Sequence, residues 1–187
     1  MGIFKEASNT MAFAKVGILG FAGSGKTRTA SEIAIGLHKA IGSTKPIAFL
    51  DTETGSDFVL PLFQGHGIKV MVSKTRAFRD LAAGMREAPK ICDILIIDSV
   101  SHFWTDIMES YKDKKQVKRL SFGDWGILKP MWNNDFSTPF VTSPLHIIVC
   151  GRAGYEYDYF EGEDDKLELY KTGTKMMVEG QFGFEPS

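Results

Sequence analysis

Eight consecutive residues carry the plainest chemistry in the chain. Gly20-Phe21-Ala22-Gly23-Ser24-Gly25-Lys26-Thr27 match the spacing G-x-x-x-x-G-K-[ST]. Glycines let the backbone wrap closely, so that successive N–H groups point inward at phosphate oxygens. A helix that follows presents its positive N-terminal end to the same anion. The Lys26 ammonium can reach the β- and γ-phosphates of a nucleoside triphosphate, and the Thr27 hydroxyl can ligate Mg²⁺. The segment Gly20 through Arg28 is therefore the candidate nucleotide-binding stretch, with ATP and Mg²⁺ as the expected ligands. A chance glycine-rich turn is the bland alternative.

Three further charged residues end apolar runs. Ile94-Leu95-Ile96-Ile97 runs into Asp98, and an acid at the end of a buried strand can support the same Mg²⁺. A strand-end Asp that merely caps the next turn is the plainer reading. Phe49-Leu50-Asp51-Thr52-Glu53 puts Glu53 just past a second strand, at the sheet edge where α/β folds bind ligands. Glu53 could accept a proton from a water attacking the γ-phosphate, or it could be a helix cap or surface acid. Ile147-Ile148-Val149-Cys150-Gly151 leads into Arg152, which could sense γ-phosphate charge or stand as an ordinary surface cation.

The elements that must position these residues follow from periodicity. Apolar runs alternate with helix-like segments, which argues for an α/β fold with a mainly parallel sheet. Strands are expected at Val16–Leu19, Pro46–Leu50, Lys69–Val72, Ile94–Ile97 and His146–Cys150. A helix is expected over Lys26–Ile41, where Ala30, Ile33, Ala34 and Leu37 recur at helical spacing and Gly42 supplies a stop. Phe78–Ala88 reads as a helix ended by Pro89, and Ser121 to about Phe140 as helical, with Pro130 and Pro139 as complications. Glu156–Phe160 and Lys166–Tyr170 alternate around the acidic turn Glu161–Asp165, which suggests a hairpin.

The bulk numbers set limits. Of 187 residues, 43% are hydrophobic and 24% charged, enough for a single globular domain over 1–187 with a sizeable core and too apolar for a disordered chain. A net charge of -1 excludes a global basic field, so any nucleic-acid contact must be local. Cys92 and Cys150 sit in apolar runs and read as buried small hydrophobes in a reducing compartment. The first ten residues have no signal-peptide pattern and no run spans a membrane, so a cytoplasmic protein is expected. The chain stops at Glu185-Pro186-Ser187 without an evident terminal element, as the N-terminal part of a longer protein would.

Taken in order, these pieces resemble the RecA-like ATPase core, and specifically phage-encoded RecA-like ATP-binding proteins linked to recombination and single-strand annealing. The resemblance rests on Met1-Gly2-Ile3-Phe4-Lys5, Gly23-Ser24-Gly25-Lys26-Thr27, Asp51-Thr52-Glu53, Ile96-Ile97-Asp98-Ser99-Val100-Ser101-His102, Asp124-Trp125-Gly126, and Ser143-Pro144 leading toward Arg152. It implies that Glu53 activates water, that Asp98 supports Mg²⁺, and that Arg152 is a polar sensor. It also implies that Lys171 and Lys175 reach a neighbouring subunit's γ-phosphate, which would make the protein a homo-oligomer with nucleotide between subunits. If phage-encoded, it would work in the host cytoplasm. Two departures stand out: RecA has Gln where this chain has Arg152, and the hairpin tip carries Glu161, Glu163, Asp164 and Asp165.

A basic cluster, Lys112, Lys114, Lys115, Lys118 and Arg119, falls where RecA-like proteins carry a DNA-contacting loop. Trp104 and Tyr111 nearby could stack bases of single-stranded DNA, although a solvated helix face is the usual fate of such a run. His38, His66, His102 and His146 show no ligand spacing and read as structural, with His102 able to lie near the nucleotide. Trp125 and Trp132 read as core. The function expected is an Mg-ATPase coupled to single-stranded DNA. A nucleotide-gated interaction module with little hydrolysis and a small-molecule or nucleotide kinase remain open.

Overall fold

The computed structural model describes residues 12–161 and 167–186. The Met1–Lys5 stretch and most of the acidic tip lie outside them. The chain alternates strand and helix: β1 (Lys15–Gly20), α1 (Lys26–Ala40), β2 (Ile47–Asp51), α2 (Ser56–Gly65), β3 (Val70–Lys74), α3 (Phe78–Ile91), β4 (Ile94–Asp98) and α4 (Val100–Lys115). Then come a 3₁₀ turn (Phe122–Asp124), α5 (Trp125–Trp132), a π segment (Asn133–Ser137), α6 (Thr138–Thr142), β5 (His146–Glu161), β6 (Leu167–Met176) and a final 3₁₀ turn (Phe182–Phe184). The sheet order is β1-β5-β4-β2-β3, all parallel, with β6 antiparallel to β5. This is the α/β architecture expected, a mainly parallel sheet flanked by helices.

Side-chain alternation divides the sheet into two cores. Ala48, Leu50, Leu95, Ile97, Ile147 and Val149 face α3, α4 and α5. Ile47, Phe49, Ile94, Ile96, Ile148 and Cys150 face α1 and α2. Successive strand residues point to opposite faces, so a strand covered on both sides is apolar throughout. Burying each such Leu, Ile or Phe contributes about 1.5–3 kcal/mol. Burial is unbroken along β2 and β4, which fixes them in the interior of the sheet, whereas β3 lies at its edge and is largely exposed.

Several expected boundaries are corrected. Helix α3 does not stop at Pro89 but runs to Ile91. A proline in the last turn forfeits one backbone donor, and Ala88 is packed into the core there. The single helix expected over Ser121 to Phe140 is broken into a 3₁₀ turn, α5, a π segment and α6. Pro130 and Pro139 have no N–H to give to the preceding turns, and the wider π turn falls between them. His146–Cys150 and the first hairpin arm are one continuous strand, β5, which leaves the parallel sheet and continues as a two-stranded ribbon with β6. Gly151 makes this crossover possible, since a Cβ there would lie 2.2 Å from Met176 Cγ. Helices α2 and α4 had no counterpart among the expected elements.

Candidate nucleotide site

Parallel pairing brings the strand ends to one edge. Gly20 lies beside Arg152, Asp98 beside Cys150, and Asp51 beside Asp98. Strand β5 is inserted between β1 and β4, which separates the phosphate-loop strand from the Asp98 strand by one strand while Thr27 still reaches Asp98.

The loop has the shape of an anion cradle. Gly23 and Gly25 hold φ of 76° and 84°, the left-handed region where a side chain costs roughly 1–2 kcal/mol. At Gly20 a Cβ would lie 2.4 Å from Ser24 Oγ. Helix α1 follows Gly25 as its N-cap, with no side-chain cap and no acidic residue in its first turn, so its first N–H groups and positive end have no anion of the helix's own. Lys26 Nζ donates to Gly20 O and Phe21 O, both at 3.0 Å, and so folds over the cradle. The side chain of Arg28 is not brought to the loop, because it pairs with Glu32 one turn along α1.

Thr27 Oγ1 donates to Asp98 Oδ2 at 2.5 Å. Asp98 is only 4% exposed, and burial raises its carboxyl above the usual range. The Thr27 hydrogen bond opposes that rise, while the charges of Glu53 and Asp51 add to it. A buried acid crowded by two others favours a cation, and hydroxyl plus carboxylate is a hard-oxygen donor pair suited to Mg²⁺.

Asp51, passed over in the sequence, organises the neighbouring loop. It accepts hydrogen bonds from the backbone of Glu53, Gly55 and Ser56 and from the Ser56 hydroxyl. Burial pushes its carboxyl up, but these bonds outweigh that and leave it below the ordinary value. The loop so held packs on the phosphate loop, where a Cβ at Gly55 would sit 3.1 Å from Thr27 Cγ2. It also presents Glu53, whose Oε1 lies 2.9 Å from Arg152 Nε and 3.5 Å from His102 Nε2. Arg76, also unremarked in the sequence, donates from Nε to Thr52 O at 2.8 Å. An Asp-x-Glu spacing followed by Gly and Ser was the available signal for this loop.

The basic cluster lies elsewhere. Lys112 is twelve residues past the start of α4, about 18 Å along its axis. Two of its five cations are already paired, Lys112 with Glu109 and Lys115 with buried Asp124. Lys115, the backbone and hydroxyl of Ser121, and the Tyr111 hydroxyl all converge on Asp124. This staple explains Asp124 as structural and engages Lys115 in the fold. Lys114, Lys118 and Arg119 are exposed and enter no ion pair among the described residues. On the ribbon, Lys171 lies 3.4 Å over the Tyr155 ring and Lys175 is 3.3 Å from Glu156. His146 Nδ1 accepts from Ala14 N, and Trp132 is fully buried, so both are structural as expected. Both cysteines are free and buried; burial pushes the Cys92 thiol up to about 11.

A parallel sheet with a glycine loop feeding an uncapped helix, and an acid on the loop's threonine, defines a P-loop nucleotide-binding core. A family model described as an AAA domain matches residues 12–182, and the chain belongs to that family of P-loop ATPase-like domains. No curated protein matches the sequence. Among the described residues no helix is long and apolar enough to cross a membrane.

Proposed function

We propose that this chain is a RecA-like Mg-ATPase of phage type that couples nucleotide state to single-stranded DNA in recombination or annealing. The observation that carries the ATPase reading is the Thr27–Asp98 hydrogen bond beside Glu53. The loop backbone and Lys26 hold the triphosphate, and Thr27 and Asp98 would hold Mg²⁺. When bound, Mg²⁺ neutralises charge on the β- and γ-phosphates. Glu53 orients a water and takes its proton as the water oxygen bonds to the γ-phosphorus. The bond to the bridging oxygen breaks, and ADP and phosphate leave.

Lys114, Lys118 and Arg119 support the DNA contact, whereas Trp104 stacks on Trp125 and the Tyr111 hydroxyl bonds to Asp124, both side chains packed against the core. The sequence resemblance supports a homo-oligomer with nucleotide between subunits, where Lys171 and Lys175 of one copy reach the next. The ion pair between Glu53 and Arg152 favours a second reading. It engages the carboxylate that must meet water, as in a nucleotide-gated module that turns over little until Arg152 is drawn to a γ-phosphate.

Steady-state phosphate release with and without single-stranded DNA, in wild type and Glu53→Gln, tests both. Loss of the base is expected to lower turnover by about 10²- to 10⁴-fold while ATP binding persists. DNA stimulation absent in wild type removes the DNA role, and negligible wild-type turnover with tight binding selects the gated module.

A further inference from the structure

His102 sits in the first turn of α4, against Thr52 and Glu53. The Thr52 hydroxyl accepts from Ser99 N at 2.7 Å, so its own proton is free to be donated. Two acceptors lie within reach, Ser99 O at 3.5 Å and His102 Nδ1 at 2.6 Å, and the shorter contact takes it. His102 Nδ1 is thereby an acceptor, and the ring proton is placed on Nε2. Nε2 faces Glu53 Oε1 at 3.5 Å. Burial, reinforced by the Arg152 and Arg76 charges and opposed by Glu53, lowers the His102 pKa, which favours the neutral imidazole with one ring proton.

Glu53 is therefore held from one side only. Arg152 Nε and His102 Nε2 both address Oε1, and among the described residues Oε2 has no hydrogen-bond partner. A carboxylate fixed through one oxygen leaves the other to meet a water at a defined angle.

We propose that His102 is a positioning residue for Glu53, set in its tautomer by the Ser99–Thr52 relay so that Oε1 is anchored and Oε2 is presented to the attacking water. This rests on the proposed water-activating role of Glu53. When Arg152 turns to a bound γ-phosphate, His102 is the anchor that remains. The roles of the two ring nitrogens can be separated. Glutamine at 102 can keep a donor near the Nε2 position, whereas asparagine keeps only an acceptor for Thr52.

The test is steady-state kinetics on His102→Ala, His102→Gln, His102→Asn and Thr52→Val, with Glu53→Gln alongside and binding of a fluorescent ATP analogue measured for each. His102→Ala and His102→Asn are expected to lower kcat by about 10- to 100-fold with KM and analogue binding within twofold of wild type. His102→Gln is expected to recover most of kcat. Thr52→Val is expected to lower kcat in wild type but to add little to His102→Ala, since both act through the Thr52–His102 hydrogen bond. Equal kcat in all three His102 variants and wild type, with Glu53→Gln inactive, overturns the inference alone. Glu53→Gln turning over like wild type overturns the role of Glu53 and this inference together. A loss in His102→Ala that appears in KM or in analogue binding, or that glutamine and asparagine rescue equally, also overturns it.

Discussion

Two lysines stand at opposite ends of β1, and both give their ammonium groups only to uncharged acceptors. Lys26, just past its C-terminal end, bonds to Gly20 O and Phe21 O. Lys15, at its start, bonds to Ser143 O, Ser143 Oγ and Leu145 O. Neither meets a carboxylate among the described residues, yet their surroundings differ. Lys15 is 7% exposed, beside the rings of Phe13 and Phe140, and burial lowers its pKa to about 8. Its carbonyl partners are the end of the chain that feeds β5, so it ties the lower edge of the sheet shut. Lys26 is only half-buried and stands over a left-handed glycine loop and an uncapped helix start. A lysine without a carboxylate becomes a ligand site only where an anion can reach it and where other donors converge.

The largest effect that would sharpen this contrast is at Lys26. Lys26→Ala should weaken ATP binding by about 10- to 100-fold, the worth of a hydrogen bond to a charged group, in a fluorescent-analogue titration. Its melting temperature should hardly move, because the lost bonds are to two backbone carbonyls at the half-buried end of β1 and the start of the exposed loop. A large fall in melting temperature with binding kept would mean that Lys26, like Lys15, is structural.

Lys15 should behave in the opposite way. Its folded pKa of about 8 lies below the ordinary 10.5, so between those values the unfolded chain holds more protons. Stability should therefore rise with pH from about 8 to 10.5 and lie flat at its lower level below that window. Lys15→Met should abolish this component in thermal melts across that range and leave ATP affinity unchanged. A pH slope that survives the substitution would assign it to another group.

The smallest effect is expected at the far end of α4. Replacing Lys114, Lys118 and Arg119 with alanine should change stability by no more than about 0.5 kcal/mol per site. It should reduce the log–log salt dependence of single-stranded DNA binding by about 2, at ~0.7 per phosphate contact. An unchanged slope would make the cluster a solvated surface, and a matching loss of ATP affinity would mean that it is coupled to the nucleotide edge.

Much of the nucleotide edge was legible in the residues themselves, for local reasons. A glycine that must take positive φ, a lysine and a threonine at fixed offsets, and a run of apolar residues ending at Asp98 act within a few residues of one another. The strands read well because those covered on both faces are apolar throughout. Helix α2 escaped because Pro61, which the helix carries inside it, reads as a breaker, and α4 because its charged C-terminal half masks the buried stripe of Val100, Phe103 and Ile107.

Tertiary structure alone decided which of these groups meet. Thr27 and Asp98 are 71 positions apart, His102 and Thr52 are 50, and Glu53 and Arg152 are 99. No local pattern specifies that β5 enters between β1 and β4, yet that order sets Arg152 beside Gly20 and brings it to Glu53. The same holds for Asp51, spent on its own loop, and for Asp124, which takes Lys115 out of the basic cluster. Residue types determine what chemistry a side chain can offer. The strand order, set by burial of two apolar faces at once, determines which carboxylates stay available for a ligand and which are consumed in holding the fold.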